Sequence, residues 1–219
     1  MNAGGLTAVL FDVGNVLIEW DPRHLYRKIF ICPDGTPDRA RIEWFLTEVC
    51  SQAWNEEQDR GRTLAAATAS LTARWPNYAG EIAAFYDRFQ EMIPGAIAES
   101  REVFDHFKDR GLPVYGLTNF SRETFAATRA RFDVLRRFDA VLVSGKEGLI
   151  KPDPAIFRRA AARFDLHPPA TLFIDDSARN IAAARALGFQ THHFAGGPAL
   201  IADLRGRGLM AFGCKRIDK

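Results

Sequence analysis

The chain has 219 residues, 47% hydrophobic and 26% charged, which suits one domain or a domain with a modest insertion and excludes a disordered chain, a collagen-like repeat and a disulfide scaffold. Lys plus Arg number 29 against 27 Asp plus Glu, a net charge of +2, whereas a nucleic-acid binder carries a larger and clustered positive excess. Cys32, Cys50 and Cys214 are odd in number with no paired spacing, so neither a disulfide framework nor a CxxC site is expected.

The first apolar stretch, Leu6 to Ile18, is broken by Asp12 and has no basic residue before it. It therefore reads neither as a signal peptide nor as a membrane span, which needs about 20 apolar residues. A soluble cytoplasmic protein in a reducing compartment is the expectation. Within the stretch, Ala8-Val9-Leu10-Phe11 is the first of five short runs that are apolar without alternation. Such runs suit strands buried on both faces. From about Asp21 to Ile93 no further run appears and helical patterns dominate. Trp20, Trp44, Trp54 and Trp75 fall in or at the edge of this span and read as packing residues. The bias predicts a helical subdomain inserted after the first strand, with its own small core.

Residues 96–110 then carry Ile97, Val103, Phe104 and Phe107 on a helical period and end at Gly111. Val114-Tyr115-Gly116-Leu117 and Ala140-Val141-Leu142-Val143 are the second and third strand runs. A helix is predicted over 155–164 after Pro154, and another over 177–187 before Gly188. The last strand runs are Thr171-Leu172-Phe173-Ile174 and Thr191-His192-His193-Phe194, in which the histidines read as strand residues. The doublets Arg136-Arg137 and Arg158-Arg159 read as solvated helix faces, and the basic tail from Gly206 to Lys219 as loosely held. Alternating strands and helices give an α/β class, a Rossmann-like parallel sheet with helices on both faces. Residues 1–20 and 94–219 form this core, and 21–93 the helical insertion.

Ligands of open parallel sheets bind beyond the carboxyl ends of the strands. After the first run comes Asp12-Val13-Gly14-Asn15-Val16, after the second Thr118-Asn119, and after the fourth Asp175-Asp176. Lys151 stands in Gly148-Leu149-Ile150-Lys151-Pro152-Asp153-Pro154, just beyond the third. Three carboxylates, a hydroxyl and an ammonium thus converge on one sheet edge. Crowded carboxylates repel or take up protons, and a divalent cation removes the conflict; hard oxygen ligands favour Mg²⁺.

This order of motifs resembles the haloacid dehalogenase-like hydrolase superfamily over nearly the whole chain. The resemblance implies that Asp12 is the nucleophile, that Thr118 orients a phosphoryl group and that Lys151 neutralises charge. It implies that Asp12, the Gly14 carbonyl, Asp175 and Asp176 hold Mg²⁺. Gly14 and Asn15 then contribute backbone amides to the substrate site and Asn119 a side-chain contact. It also makes the insertion a cap closing over a small phosphorylated metabolite such as a sugar phosphate, with no nucleic acid or membrane as partner, in a monomer or homodimer.

One position departs from the family's phosphatases. Most carry a second Asp two residues after the nucleophile, which protonates the leaving oxygen and then activates water; here that position is Gly14. Asn15 has no pKa suited to the task. The Asp-x-Gly-Asn-Val form resembles a branch that includes sugar-1-phosphate phosphatases, and the lost acid argues against a phosphomutase. The cap segment Trp54-Asn55-Glu56-Glu57-Gln58-Asp59-Arg60-Gly61 is dense in acids, and Glu57 and Asp59 are candidates to supply a proton or bind sugar hydroxyls. Two other functions compete. A 2-haloacid dehalogenase uses an Asp nucleophile without metal or second Asp, but gains nothing from Asp175-Asp176 beside an anionic substrate. A phosphate-binding protein without turnover is motivated by Gly14 alone.

Overall fold

The computed structural model describes residues 5–210, so Cys214 and most of the basic tail lie outside the described residues. All five apolar runs form strands: β1 (Ala8–Phe11), β2 (Val114–Thr118), β3 (Ala140–Val143), β4 (Thr171–Asp175) and β5 (Gln190–His193). They pair in parallel in the order β3-β2-β1-β4-β5. Period-two alternation divides each strand between the two faces of the sheet. Val9 and Phe11 join Phe104 and Phe107 on one face, while Leu10 and Phe173 join Ile156, Phe157 and Ile181 on the other.

The covering helices follow the predicted patterns with ends shifted by one or two residues: α6 (Ala98–Asp109) and the helices Pro154–Arg163 and Ala178–Ala186. Caps explain two of the starts. Asp153 accepts from the Ala155 N–H with Pro154 at the first helical position, and Ser177 accepts from the Asn180 N–H. The arginine doublets carry ion pairs at exposed positions, Arg136 with Asp133 and Arg159 with Glu147. No helix among the described residues is long and apolar enough to cross a membrane.

Between β1 and α6 lie α1 (Arg23–Ile29), α2 (Arg39–Trp44), a π-helical turn over Phe45–Val49, α3 (Gln52–Asp59), α4 (Leu64–Arg74) and α5 (Ala79–Asp87). Tyr26 sits among Phe30, Phe45 and Phe85, its ring centroid 5.7, 4.8 and 6.4 Å from theirs. Its hydroxyl donates to the Glu81 carbonyl at 2.9 Å. A separate small core was the expectation from sequence; the buried side chains instead form one cluster with the sheet face. Val13, Val16, Leu17, Ile18, Met92 and Ile93 are fully buried and bridge the two regions. The two chain crossings are themselves joined: Glu19 N–H donates to Gly95 O, Asp21 N–H to Met92 O, and Ile97 N–H to Leu17 O, at 2.9–3.0 Å.

Candidate active site

Strand order reverses between β1 and β4, and the crevice at such a reversal is where open parallel sheets take their ligands. Register carries the chemistry there. Phe11 lies opposite Ile174, so Asp12 just past β1 comes level with Asp175 at the end of β4. One carboxylate oxygen from each of Asp12, Asp175 and Asp176 lies within 4.8 Å of the others.

Lys151 is inserted between two of these acids. Its Nζ donates to Asp12 Oδ1 at 2.8 Å, Asp175 Oδ2 at 2.7 Å and the Leu117 carbonyl at 2.9 Å. The loop carrying it is fixed by a reciprocal pair: Asn119 Nδ2 donates to the Lys151 carbonyl, and the Lys151 N–H donates to Asn119 Oδ1. Asp175 is fully buried and accepts in addition from the Ser177 N–H at 2.8 Å and from Asn180 Nδ2 at 3.0 Å. Thr118 stands at the end of β2, almost wholly enclosed. Asp176 is the acid left open to the crevice, its carbonyl 2.9 Å from His193 Nε2.

Three carboxylates around one ammonium set the electrostatics. Burial pushes the Asp12 carboxyl up to about 7; Lys151 opposes that rise, and Asp175 and Asp176 add to it. Burial and the neighbouring Asp175 raise Asp176 in the same direction. Burial alone would lower the Lys151 ammonium, but Asp12 and Asp175 outweigh it and hold it above its ordinary value. The cluster is short of positive charge, a condition that oxygen donors relieve by binding a hard divalent cation.

The backbone turns sharply after Asp12. Its Oδ1 accepts from the Val13 N–H at 2.7 Å, and Asn15 adopts a left-handed conformation with φ 55°, which Asn tolerates better than most residues. Asn15 Oδ1 accepts from the Trp20 N–H at 2.9 Å, so its amide holds the turn as well as lining the cleft. Beside Gly14 the space is open: a Cβ there would meet no heavy atom within 4 Å.

Helix α3 forms the opposite wall. Ser51 caps it by accepting from the Trp54 N–H. Gln52, Asn55, Glu56 and Asp59 follow the i, i+3, i+4, i+7 spacing of one helix face. Gln52 and Glu56 face the carboxylate cleft, which Asp12, Lys151, Asp176 and Arg179 also line. Asn55 and Asp59 face an adjoining pocket with Gly14, Trp20, Tyr86, Phe89 and Phe120, about 450 Å³ of space partly open to solvent. Glu57 points elsewhere: it is half-exposed and lies 3.7 Å from Arg60. Sequence reasoning thus offered two cap acids, and the structure brings only Asp59 to the site. Glu57 falls on the other face because it is one residue, a 100° turn, from Glu56.

Asp59 is 8% exposed, and burial pushes its carboxyl up to about 7, with Glu56 adding to the rise and Lys151 opposing it. Asn55 Nδ2 reaches its Oδ2 at 3.5 Å, and Asn55 Oδ1 accepts from the Tyr86 hydroxyl at 3.0 Å. Sequence reasoning missed Gln52 and Glu56, although their spacing from Asp59 was a signal. It also missed Asn180, which stands three residues after the capping Ser177, and took Trp20 for packing alone where it lines the site.

A family model described as haloacid dehalogenase-like hydrolase matches residues 6–188. The chain is 26% identical over 200 residues to a sesquiterpene phosphatase of Aspergillus oryzae, covering 90% of this chain and 94% of that protein. It is 26% identical over 187 residues to a drimenol cyclase of Aspergillus calidoustus, covering 84% of this chain but spanning only 33% of the cyclase. Among solved structures, an enzyme from Bacteroides thetaiotaomicron superposes with a TM-score of 0.69 at 22% identity, covering 88% of this chain and 95% of that one. The same enzyme was also solved with magnesium and inorganic phosphate; that form gives a TM-score of 0.65 at 21% identity, over 88% of this chain and 96% of that one.

Proposed function

The chain belongs to the haloacid dehalogenase-like hydrolases, and from that premise we propose that it is a Mg²⁺-dependent phosphatase of a small phosphomonoester, such as a sugar phosphate, working through an aspartyl phosphate on Asp12. The observation that carries this reading is the triad of carboxylate oxygens within 4.8 Å, threaded by the Lys151 ammonium at a strand-order reversal.

The donor set fits Mg²⁺: oxygen ligands only, crowded enough that burial and mutual repulsion hold two of the three acids above their ordinary range. Asp12, Asp176 and the Gly14 carbonyl would hold the ion, with Asp175 completing the field. When bound, it screens the nucleophile and draws charge from the phosphoryl oxygens.

The chain's own groups do the rest. Asp12 attacks phosphorus in line with the departing oxygen, so its Oδ–P bond forms as the P–O bond breaks. Lys151, fixed by Asp175 and the Leu117 carbonyl, keeps a positive charge beside the nucleophile without reorganisation, the condition under which electrostatic stabilisation is most effective. Thr118, Asn119 and the backbone amides near Gly14 and Asn15 orient the phosphoryl group. Residues 21–93 act as the cap, and the leaving group lies in the pocket between Trp20, Tyr86, Phe89 and Phe120.

A 2-haloacid dehalogenase would carry an anionic substrate into a site that already holds three carboxylates. A phosphomonoester is no less anionic, but the cation that these acids would hold offsets the charge, which a metal-free dehalogenase site has no means to do, so the cluster favours the phosphatase reading.

The test is steady-state hydrolysis of p-nitrophenyl phosphate and an α-sugar 1-phosphate, with Mg²⁺ or a chelator. Turnover is expected only with Mg²⁺, and Asp12→Asn lowers it on the order of 10⁴-fold or more. Intact mass of the acid-quenched wild type shows one added phosphoryl group. Silence on every phosphate ester with metal present sinks the reading, and turnover of 2-chloropropionate without metal replaces it.

A further inference from the structure

We propose that Asp59 is the catalytic acid and base of this site, supplying from helix α3 the carboxyl that position 14 lacks; the assignment rests on the phosphatase reading above. Asp59 and Gly14 line the same pocket, and the space beside Gly14 holds no atom that a Cβ would meet. A carboxyl lowered from the helical wall therefore addresses the volume that a side chain at position 14 would have filled.

The other acids of α3 have settled partners: Glu56 accepts from Gln52, and Glu57 lies beside Arg60. Asp59 is 8% exposed, and among the described residues its side chain accepts only the long bond from the neutral Asn55 amide at 3.5 Å. No cation stands within ion-pair distance of it among the described residues. A buried carboxylate with so little compensation is costly, and such groups take up a proton. The groups facing it are Glu56 on its own helix, Tyr86 from α5 and Lys151 from the loop beyond β3. Its pKa of about 7 leaves it part protonated at neutrality, where a residue that must both give and take a proton works best. Its position is held from behind: Gln58 Nε2 donates to the Tyr86 hydroxyl at 2.7 Å, Arg62 Nε donates to Gln58 Oε1 at 2.8 Å, and Tyr86 holds Asn55.

The proton balance closes without a further reactant. As Asp12 forms its bond to phosphorus, the protonated Asp59 gives its proton to the departing oxygen, which leaves as an alcohol. Asp59, now a carboxylate, takes a proton from the water that attacks the aspartyl phosphate. The P–O bond to Asp12 breaks, orthophosphate leaves, and both aspartates regain their starting states.

The experiment compares two probes on the Mg²⁺-loaded full chain: p-nitrophenyl phosphate, whose phenolate leaves without a proton, and 2-phenylethyl phosphate, whose alkoxide does not. For Asp59→Asn, kcat/KM on the alkyl ester is expected to fall 10²–10⁴-fold, while on the nitrophenyl ester it stays within about threefold. On the nitrophenyl ester kcat falls, because the water step loses its base. A burst of nitrophenolate appears, and intact mass shows the phosphorylated protein accumulating. In the wild type the ratio of kcat/KM, alkyl over nitrophenyl, declines as pH rises through about 7, and Asp59→Asn flattens it. Retained kcat/KM on the nitrophenyl ester shows that the variant folds. An equal fall on both esters, in Asp59→Asn and Asp59→Glu alike, overturns the assignment and leaves the phosphatase reading standing. So does a wild type that cleaves the nitrophenyl ester but not the alkyl ester. A wild type silent on both overturns both.

Discussion

The carboxyl edge of the sheet and the helical layer α1–α5 build their halves of the site by different means. At the sheet edge, strand register decides where each functional group stands: Asp12 and Asp175 are level because Phe11 pairs with Ile174, and Lys151 is fixed by backbone and side-chain bonds from β2 and β4. In the helical layer no strand register does this, and side-chain contacts hold the helices instead. Asp59 stands where it does because α3 is held by rings, Trp54 against Phe85 at 5.2 Å and Tyr86 at 5.3 Å. The half proposed to make and break the P–O bond is therefore preset by the main chain. The half proposed to receive the leaving group depends on side-chain packing, which substitution alters without disturbing the sheet.

The largest effect should come from Lys151→Met, which strikes the preset half. It leaves buried carboxylates without their partner, and removing one member of a buried ion pair costs about 3–5 kcal/mol. Both activity and urea stability should fall. Asp12, with its carboxyl at about 7 in the folded protein against an ordinary 3.8, binds a proton that the unfolded chain releases. Without Lys151 it is driven higher still, so the variant regains stability as pH falls through that raised value toward 3.8, and a loss that ignores pH would refute the electrostatic origin. Phe45→Ala strikes the packed half. It opens a cavity beside Tyr26 and should cost about 3–5 kcal/mol in denaturant unfolding, yet the folded fraction keeps its Mg²⁺-dependent chemistry on p-nitrophenyl phosphate. If that chemistry disappears while the protein remains folded, the two halves are not independent. Glu57→Gln is the smallest: a half-exposed acid outside both pockets should change neither kcat/KM nor stability beyond about 0.5 kcal/mol. A clear loss of activity would move the catalytic acid from Asp59 to Glu57.

Legibility followed the same division. A strand buried on both faces leaves an uninterrupted apolar run, and the residues that follow it are then at the carboxyl edge, so Asp12, Thr118, Asp175 and Asp176 could be placed from sequence. Lys151 could be placed near them, but not between them. The helical layer gave less. The tryptophans read as packing residues but not against what, and the continuity of the helical layer's core with the sheet depends on Val13 to Ile18 lying between. The acid-dense segment of α3 offered Glu57 and Asp59 alike; only the rings packed behind the helix, Phe85 and Tyr86, distant in sequence, decide which face turns inward. Gly14 was legible as a departure, while the open volume beside it was not.

The paired crossings between sheet and helices have a mechanical consequence. Residues 17–21 and 92–97 run side by side as a narrow hydrogen-bonded ribbon. Displacing either crossing strains its bonds to the other, so the two chain connections to the helical layer act as one. Trp20 lies on this ribbon, with its N–H held by Asn15 of the turn after Asp12. The ribbon therefore ties a wall of the pocket to the turn after Asp12, so a substitution that displaces either one displaces both.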